Sequence, residues 1–339
     1  MRSPGESSAL PGERALIERI RRRLPAAPPA LVIGPGDDAA VVAPQHGALQ
    51  VLTTDAVVEG VHFDRRFSTL ADAGYRALAV NLSDLAAMGA TPAFALLSFM
   101  LPDDTTTADV DALMDGILEL AAAEQVTIAG GNISRSPGPL VIDVTATGHV
   151  RPRRILTRGG GRPGDALYVT GSLGAAAAGL DWLRAGAPAD EAEQGLLETC
   201  ARRHRRPQPR TRIGRLLGGN RAASACMDLS DGLADAVRQL AEASGTGAVI
   251  DGAALPIDPA AARWFENRGR DPILAAAEGG DDFELLFAVP KKRRGRLRAV
   301  VSGARGVPLT RIGELTASTD LVLQRGGRDE PLPQGYVHF

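Results

Sequence analysis

From Thr105 to Glu124 the apolar residues Val110, Leu113, Met114, Ile117, Leu118 and Ala121 recur every three or four positions. That spacing places them on one side of a helix. The same period, carried by Leu16, Ile17 and Ile20, predicts a short amphipathic helix over Glu13–Arg23, which Pro25, Pro28 and Pro29 end. Asp72–Met88 also reads as a helix, with Gly89 as its stop. On it, Asn81, Asp84 and Met88 share a face, while Leu78, Leu82 and Leu85 make the rest apolar. A polar pair in that setting calls for a ligand or a hydrogen-bond network.

Shorter apolar runs predict strands at Ala48–Asp55, Ala93–Met100, Val126–Ala129 and Leu140–Val150. Leu31–Val42 is an apolar run broken by a glycine-aspartate turn. In the second half, strands are expected at Asp165–Thr170, Ala223–Leu229, Ala248–Ile250 and Glu284–Val289, with helices over Gly171–Arg184 and Asp231–Ser244. This alternation predicts an α/β protein with mixed sheets. A length of 339 residues suggests two domains. Arg151–Arg154 reads as the hinge, giving a lead-in at 1–27, an N-terminal domain at 28–150 and a C-terminal domain at 151–339.

Composition narrows the partners. A net charge of −2 provides no general attraction for nucleic acid. The cluster Arg202, Arg203, His204, Arg205, Arg206, Arg210 and Arg212 lacks interleaved aromatics, so a surface or groove-edge role is expected. The longest apolar stretch, Ala93–Leu101, is far short of the roughly 20 residues a membrane helix needs. Met1–Leu16 is polar and lacks the core of a signal peptide. Cys200 and Cys226 are too few for a disulfide framework and are expected as reduced, half-buried thiols of a cytosolic protein.

The chemistry lies in five aspartate-bearing segments: Gly34-Pro35-Gly36-Asp37-Asp38, Thr53-Thr54-Asp55, Asn81-Leu82-Ser83-Asp84, Asp228-Leu229-Ser230-Asp231-Gly232 and Gly279-Gly280-Asp281-Asp282. Carboxylates near strand ends and turns suit hard cations, and Mg²⁺ divides its coordination between one or two of them and substrate phosphates. A site holding several such ions transfers phosphoryl groups. Lys291 and Lys292 are the only lysines, and no P-loop is present. Nucleotide phosphates would therefore rely on metal ions, arginines and backbone amides. Taken singly, Asp37 and Asp38 read as a turn pair, Asp55 as a strand-end cap, Asp84 as a buried acceptor and Ser230 as a helix cap. The ordered set favours metal.

Gly34–Val41, Thr53–Phe63, Ala79–Ala90, Leu156–Arg158, Asp228–Leu233, Gly279–Leu285 and Gly335–Phe339 together resemble the thiamine-monophosphate kinases, in order, from about residue 13 to the last. That family shares a superfamily with aminoimidazole ribonucleotide synthetase, selenophosphate synthetase and hydrogenase maturation factor E. The resemblance implies an aminoimidazole ribonucleotide synthetase-like fold. Its N-terminal domain would bind ATP and Mg²⁺ and dimerise through its sheet, and ATP would lie in a groove between the domains. It also implies a cytoplasmic homodimer that converts ATP and thiamine monophosphate to ADP and thiamine diphosphate with several Mg²⁺ ions.

Residue by residue, the resemblance makes Asp38, Asp55, Asp84 and Asp228 the catalytic metal ligands, joined by Asp231 and by oxygens of Thr53 and Thr54. Arg158, Ser230, Asn132 and the backbone at Gly131 would contact ATP. His62, Asp281 and Tyr336 would contact the substrate, a carboxylate and an aromatic face complementing the thiazolium cation. Two positions depart from the family pattern. Asn132 stands where an aspartate ligand is expected, keeping one oxygen but losing a charge. Asp281 stands where the family often has glutamate. Selenophosphate synthetase is disfavoured because no cysteine precedes Cys200, and the maturation factor because the last residue is Phe339. Two alternatives stay open: a catalytically degraded paralogue that binds nucleotide or thiamine phosphate, and another ATP-dependent enzyme of the superfamily. Val58–Phe63 also resembles aminoimidazole ribonucleotide synthetase.

Overall fold

The computed structural model describes residues 12–36, 38–187 and 191–335. Asp37 and the substrate candidate Tyr336 lie outside the described residues. The chain folds as two compact units. The first takes its described residues from Met1–His46, Leu52–Asn81 and Pro92–Gly148; the second from Gly47–Val51, Leu82–Thr91 and His149–Phe339.

The N-terminal elements are α1 (Glu13–Arg23), β1 (Leu31–Ile33), β2 (Val41–Val42), β3 (Leu49–Val58), α2 (Leu70–Ala87), β4 (Thr91–Leu101), α3 (Thr107–Glu124), β5 (Thr127–Arg135) and β6 (Val141–Val150). The expected helix over Glu13–Arg23 forms with those bounds. β1 and β2 make a small antiparallel pair, and β3-β6-β4-β5 make a four-stranded sheet. Along β6 the side chains alternate between buried and half-buried, with Ile142, Val144 and Ala146 in the core. α3 begins with a capping box. The Thr106 hydroxyl accepts from the Asp109 N–H, and the Asp109 carboxylate accepts from the Thr106 N–H at 2.8 Å. Arg23 holds α1 to α3 by pairing with Asp111 at 3.0 Å.

α2 and α3 touch backbone to backbone. A Cβ at Gly116 would sit 1.8 Å from the Ala71 carbonyl oxygen, and one at Gly74 would sit 2.1 Å from that of Leu113. β5 differs from expectation. It does not stop at Ala129 but runs through Gly130-Gly131-Asn132 to Arg135, parallel to β4, with Ser98 opposite Asn132. Gly131 permits this because a Cβ there would lie 2.0 Å from the Leu97 carbonyl oxygen.

The later elements are β7 (Ala166–Thr170), α4 (Ala175–Arg184), α5 (Glu191–Arg205), α6 (Thr211–Gly219), β8 (Ala225–Asp228), α7 (Leu233–Ser244), β9 (Gly247–Asp251), α8 (Pro259–Glu266), α9 (Pro272–Glu278), β10 (Leu285–Val289), α10 (Arg294–Gly303), β11 (Leu309–Thr316), β12 (Leu321–Arg325) and β13 (Arg328–Pro331). Seven strands form one sheet in the order β13-β12-β9-β11-β7-β10-β8. β12 and β9 pair in parallel, and β7, β8, β10 and β11 pair antiparallel. Every residue of β8 and β10 is buried, as expected of strands covered on both faces. Leu167, Val169, Val237, Leu240 and Leu286 belong to one core; Leu217, Phe287, Leu297 and Val300 belong to another.

Cys200 and Cys226 are free and fully buried, and burial raises both thiol pKa values. Among the described residues, no helix is long and apolar enough to cross a membrane.

Candidate functional site

β8 carries the buried Asp228 to its end, where Leu285 of β10 is its register partner. The next residues are tied to the glycine-aspartate loop before β10. The Leu229 N–H donates to the Glu284 carbonyl at 2.8 Å, and the Phe283 N–H to the Leu229 carbonyl at 2.9 Å. The Asp281 N–H donates to the Ser230 carbonyl at 2.7 Å. Gly232 completes the turn with φ +96°, where a Cβ would meet the Glu278 carbonyl at 2.9 Å. It is also the N-cap of α7, and no side chain caps that helix. Ser230 is therefore not the cap that one sequence reading allowed; its hydroxyl lies 3.4 Å from the Asp231 carboxylate.

The C-terminal end of α2 belongs to this same unit. Ser83 donates its hydroxyl to Asp228 at 2.7 Å. Burial pushes the Asp228 carboxyl up to about 7, and the Asp84 charge adds to that rise. The Ser83 bond and the Arg158 charge act against it. Arg158 is exposed and donates to Gln239 at 2.6 Å, while Gln239 donates to Asp235. The unit thus brings together Asp84, Asp228, Arg158, Ser230, Asp231 and Asp281.

In the other unit, β3 presents Thr53 and Asp55 on one face and Thr54 on the other, by the two-residue period of a strand. The Thr54 hydroxyl lies 3.2 Å from both Asp143 and Thr145 of β6. Asp38 and Asn132 are exposed. Asp55 and Asn132 lie on opposite edge strands of the sheet, so pairing does not set them side by side. His62 closes the turn after β3: its Nδ1 accepts from the Val58 N–H at 3.1 Å, and its own N–H donates to the Val58 carbonyl. Its Nδ1 is thus committed to the turn.

Asn81, flagged only as a polar anomaly on α2, is completely buried. Its Nδ2 donates to the Ala77 carbonyl at 3.0 Å and to the Asp55 carbonyl at 3.4 Å. Its Oδ1 has no partner among the described residues. Its sequence signal is its place, with Asp84, on an otherwise apolar helix. Ser83 and Glu284 gave no such signal.

Among the described residues, no three Asp, Glu, His or Cys side chains converge to hold a metal unaided. The donors are nonetheless carboxylate, hydroxyl and amide oxygens, and the mutual repulsion of Asp84 and Asp228 is what a hard cation relieves. An ion held by one or two of these carboxylates completes its coordination with phosphate oxygens.

Residues 36–150 match the family described as AIR synthase related protein, N-terminal domain, and residues 162–326 match its C-terminal domain. Fold and site thus define an AIR synthase-related protein of two domains. Curated thiamine-monophosphate kinases are similar over nearly the whole chain. The one from Escherichia coli K12 is 38% identical over 97% of this chain and 98% of its own. That from Rhodopirellula baltica is 36% identical over 91% and 92%. The chain belongs to the thiamine-monophosphate kinase family. Among solved structures, thiamine-monophosphate kinase from Stenotrophomonas maltophilia K279a superposes with a TM-score of 0.81 at 36% identity, covering 93% of this chain and 97% of that one. AaThiL complexed with AMPPCP and TMP superposes at 0.76 and 32%, covering 97% of each. The hydrogenase maturation protein HypE, at 18% identity and a TM-score of 0.76, shares the fold.

Proposed function

We propose that this chain transfers the γ-phosphoryl group of ATP to thiamine monophosphate, yielding ADP and thiamine diphosphate. Similarity to the curated kinases over nearly the full length supports the reaction. A relative bound to AMPPCP and TMP supports the two substrates. The observation that carries the site is the buried Asp228, bonded by Ser83 at 2.7 Å and close enough to Asp84 and Arg158 to feel both charges.

The chemistry follows from the acceptor. A phosphate monoester is already ionised near neutral pH, so no strong general base is needed. The obstacle is repulsion between two anions. Mg²⁺, when bound, supplies the positive charge that neutralises both phosphates. In the second unit Asp84 and Asp228 would hold it, with Asp231 as a further donor; in the first unit Asp38, Asp55 and oxygens of Thr53 and Thr54 would serve as metal ligands, and Asn132 would contribute an oxygen without charge. In the second unit Arg158 and Ser230 serve ATP and Asp281 the acceptor; in the first, the Gly131 backbone and Asn132 serve ATP and His62 the acceptor. Tyr336 also serves the acceptor. Transfer is direct and in line, with no phosphoenzyme.

The homodimer reading is supported by apolar side chains left open on the N-terminal sheet, including Leu52 at 66% exposure and Leu96. In sequence the domains divide at 150/151, with Gly47–Val51 and Leu82–Thr91 packing into the second unit, and the protein acts in the cytoplasm.

The test is to incubate the protein with ATP, Mg²⁺ and thiamine monophosphate and to follow thiamine diphosphate by chromatography. Product that disappears on Asp84→Asn supports the reading. Binding of thiamine monophosphate without product overturns it in favour of a degraded paralogue. Turnover of a different acceptor points to another reaction of the superfamily.

A further inference from the structure

Arginines of the run between residues 202 and 212 enter the interior. Glu284 is fully buried. Arg203, in the last turn of α5, donates to its Oε1 at 2.6 Å. Arg210, just before α6, donates through Nε to Oε2 at 2.6 Å and through Nη2 to Oε1. The Thr170 hydroxyl donates to Oε2. Gly171, at φ +62°, leaves the space this carboxylate fills, since a Cβ there would lie 2.1 Å from Oε1.

Glu284 ends a strained loop. Asp281 and Phe283 have φ of 70° and 48°, the left-handed region that L side chains seldom occupy. Such conformations persist where the surroundings over-determine them. Asp282, between them, is buried and accepts from the Gly174 and Ala176 N–H groups at 2.8 and 3.4 Å, at the start of α4. Residues 282 and 284 are thus anchored inside, and Asp281 is left facing outward with 28% of its side chain exposed. His204, next to Arg203 and only 4% exposed, places Nδ1 3.2 Å from the Asp281 Oδ2. A carboxylate only accepts, so that nitrogen donates.

We infer that Arg203, His204 and Arg210 are positioning residues for the acceptor site. Arg203 and Arg210 lock Glu284, His204 orients the Asp281 carboxylate, and a cationic acceptor meets an anion already aimed. Pre-organisation of this kind adds affinity by removing an ordering cost at binding. The inference rests on Asp281 being the carboxylate that faces the acceptor's cation.

Calorimetric titration of the full chain with thiamine monophosphate, and separately with ATP and Mg²⁺, tests both statements. Asp281→Asn should weaken thiamine monophosphate binding by about tenfold or more. His204→Ala should weaken it by about fivefold to tenfold and change ATP affinity by less than about twofold. His204→Asn, which keeps a donor near the Nδ1 position, should bind more tightly than His204→Gln; this pair carries the test if His204→Ala does not fold. In an Asp281→Asn background, His204→Ala should have no further effect. If Asp281→Asn leaves binding intact, the acceptor role of Asp281 falls and the inference with it. If Asp281→Asn weakens binding but His204→Ala does not, only the inference falls. Equal loss of ATP and acceptor affinity in His204→Ala marks a purely structural residue and also overturns it.

Discussion

Ser83, near the end of α2, donates its hydroxyl to the buried Asp228 carboxylate across 145 residues of sequence, at 2.7 Å. This bond favours the charged form of a group that burial and Asp84 push up to about 7 from an ordinary 3.8. The folded chain therefore holds this proton where the unfolded chain has lost it. Metal-free stability should fall as pH rises from about 4 to about 7 and level off above, by a few kcal/mol at roughly 1.4 kcal/mol per pH unit. Asp228→Asn should flatten that slope, and Ser83→Ala should extend it to higher pH. Denaturant unfolding at several pH values checks this; equal slopes in wild type and Asp228→Asn refute it.

Asn81 ties α2 to the Asp55 carbonyl while leaving its own Oδ1 unpartnered among the described residues. Asn81→Ala should cost about 1–3 kcal/mol, the typical penalty for leaving a buried polar group without its partner. The same variant should need a several-fold higher Mg²⁺ concentration for half-maximal turnover while ATP affinity holds. An unchanged Mg²⁺ requirement would mean that the tie is structural only.

The strongly periodic helices could be read from the chain because their apolar stripes face one core: α1 has its expected bounds and α3 is within two residues of expectation. The Asp228 segment could be read because its strand is continuously apolar and ends in glycine-rich turn chemistry. In sequence the arginine cluster suggests only a surface or groove-edge role, because its partners are remote: Glu284 lies 81 residues from Arg203 and Asp281 lies 77 from His204. Ion pairing at such separation leaves no periodicity. The face taken by Thr54 was likewise invisible, since it depends on the register of β3 against β6.

Arg210 and Arg203 share one buried carboxylate, so loss of Arg210 leaves Glu284 one cation but removes two of its hydrogen bonds. Arg210→Met should destabilise by about 1–3 kcal/mol, the usual cost of taking a partner from a buried polar group. Glu284→Gln, which takes the shared carboxylate from both arginines, should cost more, about 3–5 kcal/mol. Urea midpoints measure both. A loss below about 1 kcal/mol would place the pair among exposed ion pairs.

Gly116 allows α3 to lie directly on the backbone of α2. A methyl group there would sit 1.8 Å from the Ala71 carbonyl oxygen and 2.8 Å from the Tyr75 nitrogen, and neither is the end of a flexible side chain. The helices must separate to admit it, at about 1–3 kcal/mol or more, although alanine is otherwise the better helix former. Because α2 carries Asn81 and Asp84, the shift should reach the candidate site, and Gly116→Ala should lower both the melting temperature and turnover. Gly195, near the start of α5, has open space where its Cβ would be and serves as the control; Gly195→Ala should leave both unchanged or raise stability slightly. Equal behaviour of the two variants would show that α2 and α3 are not held at this distance in solution.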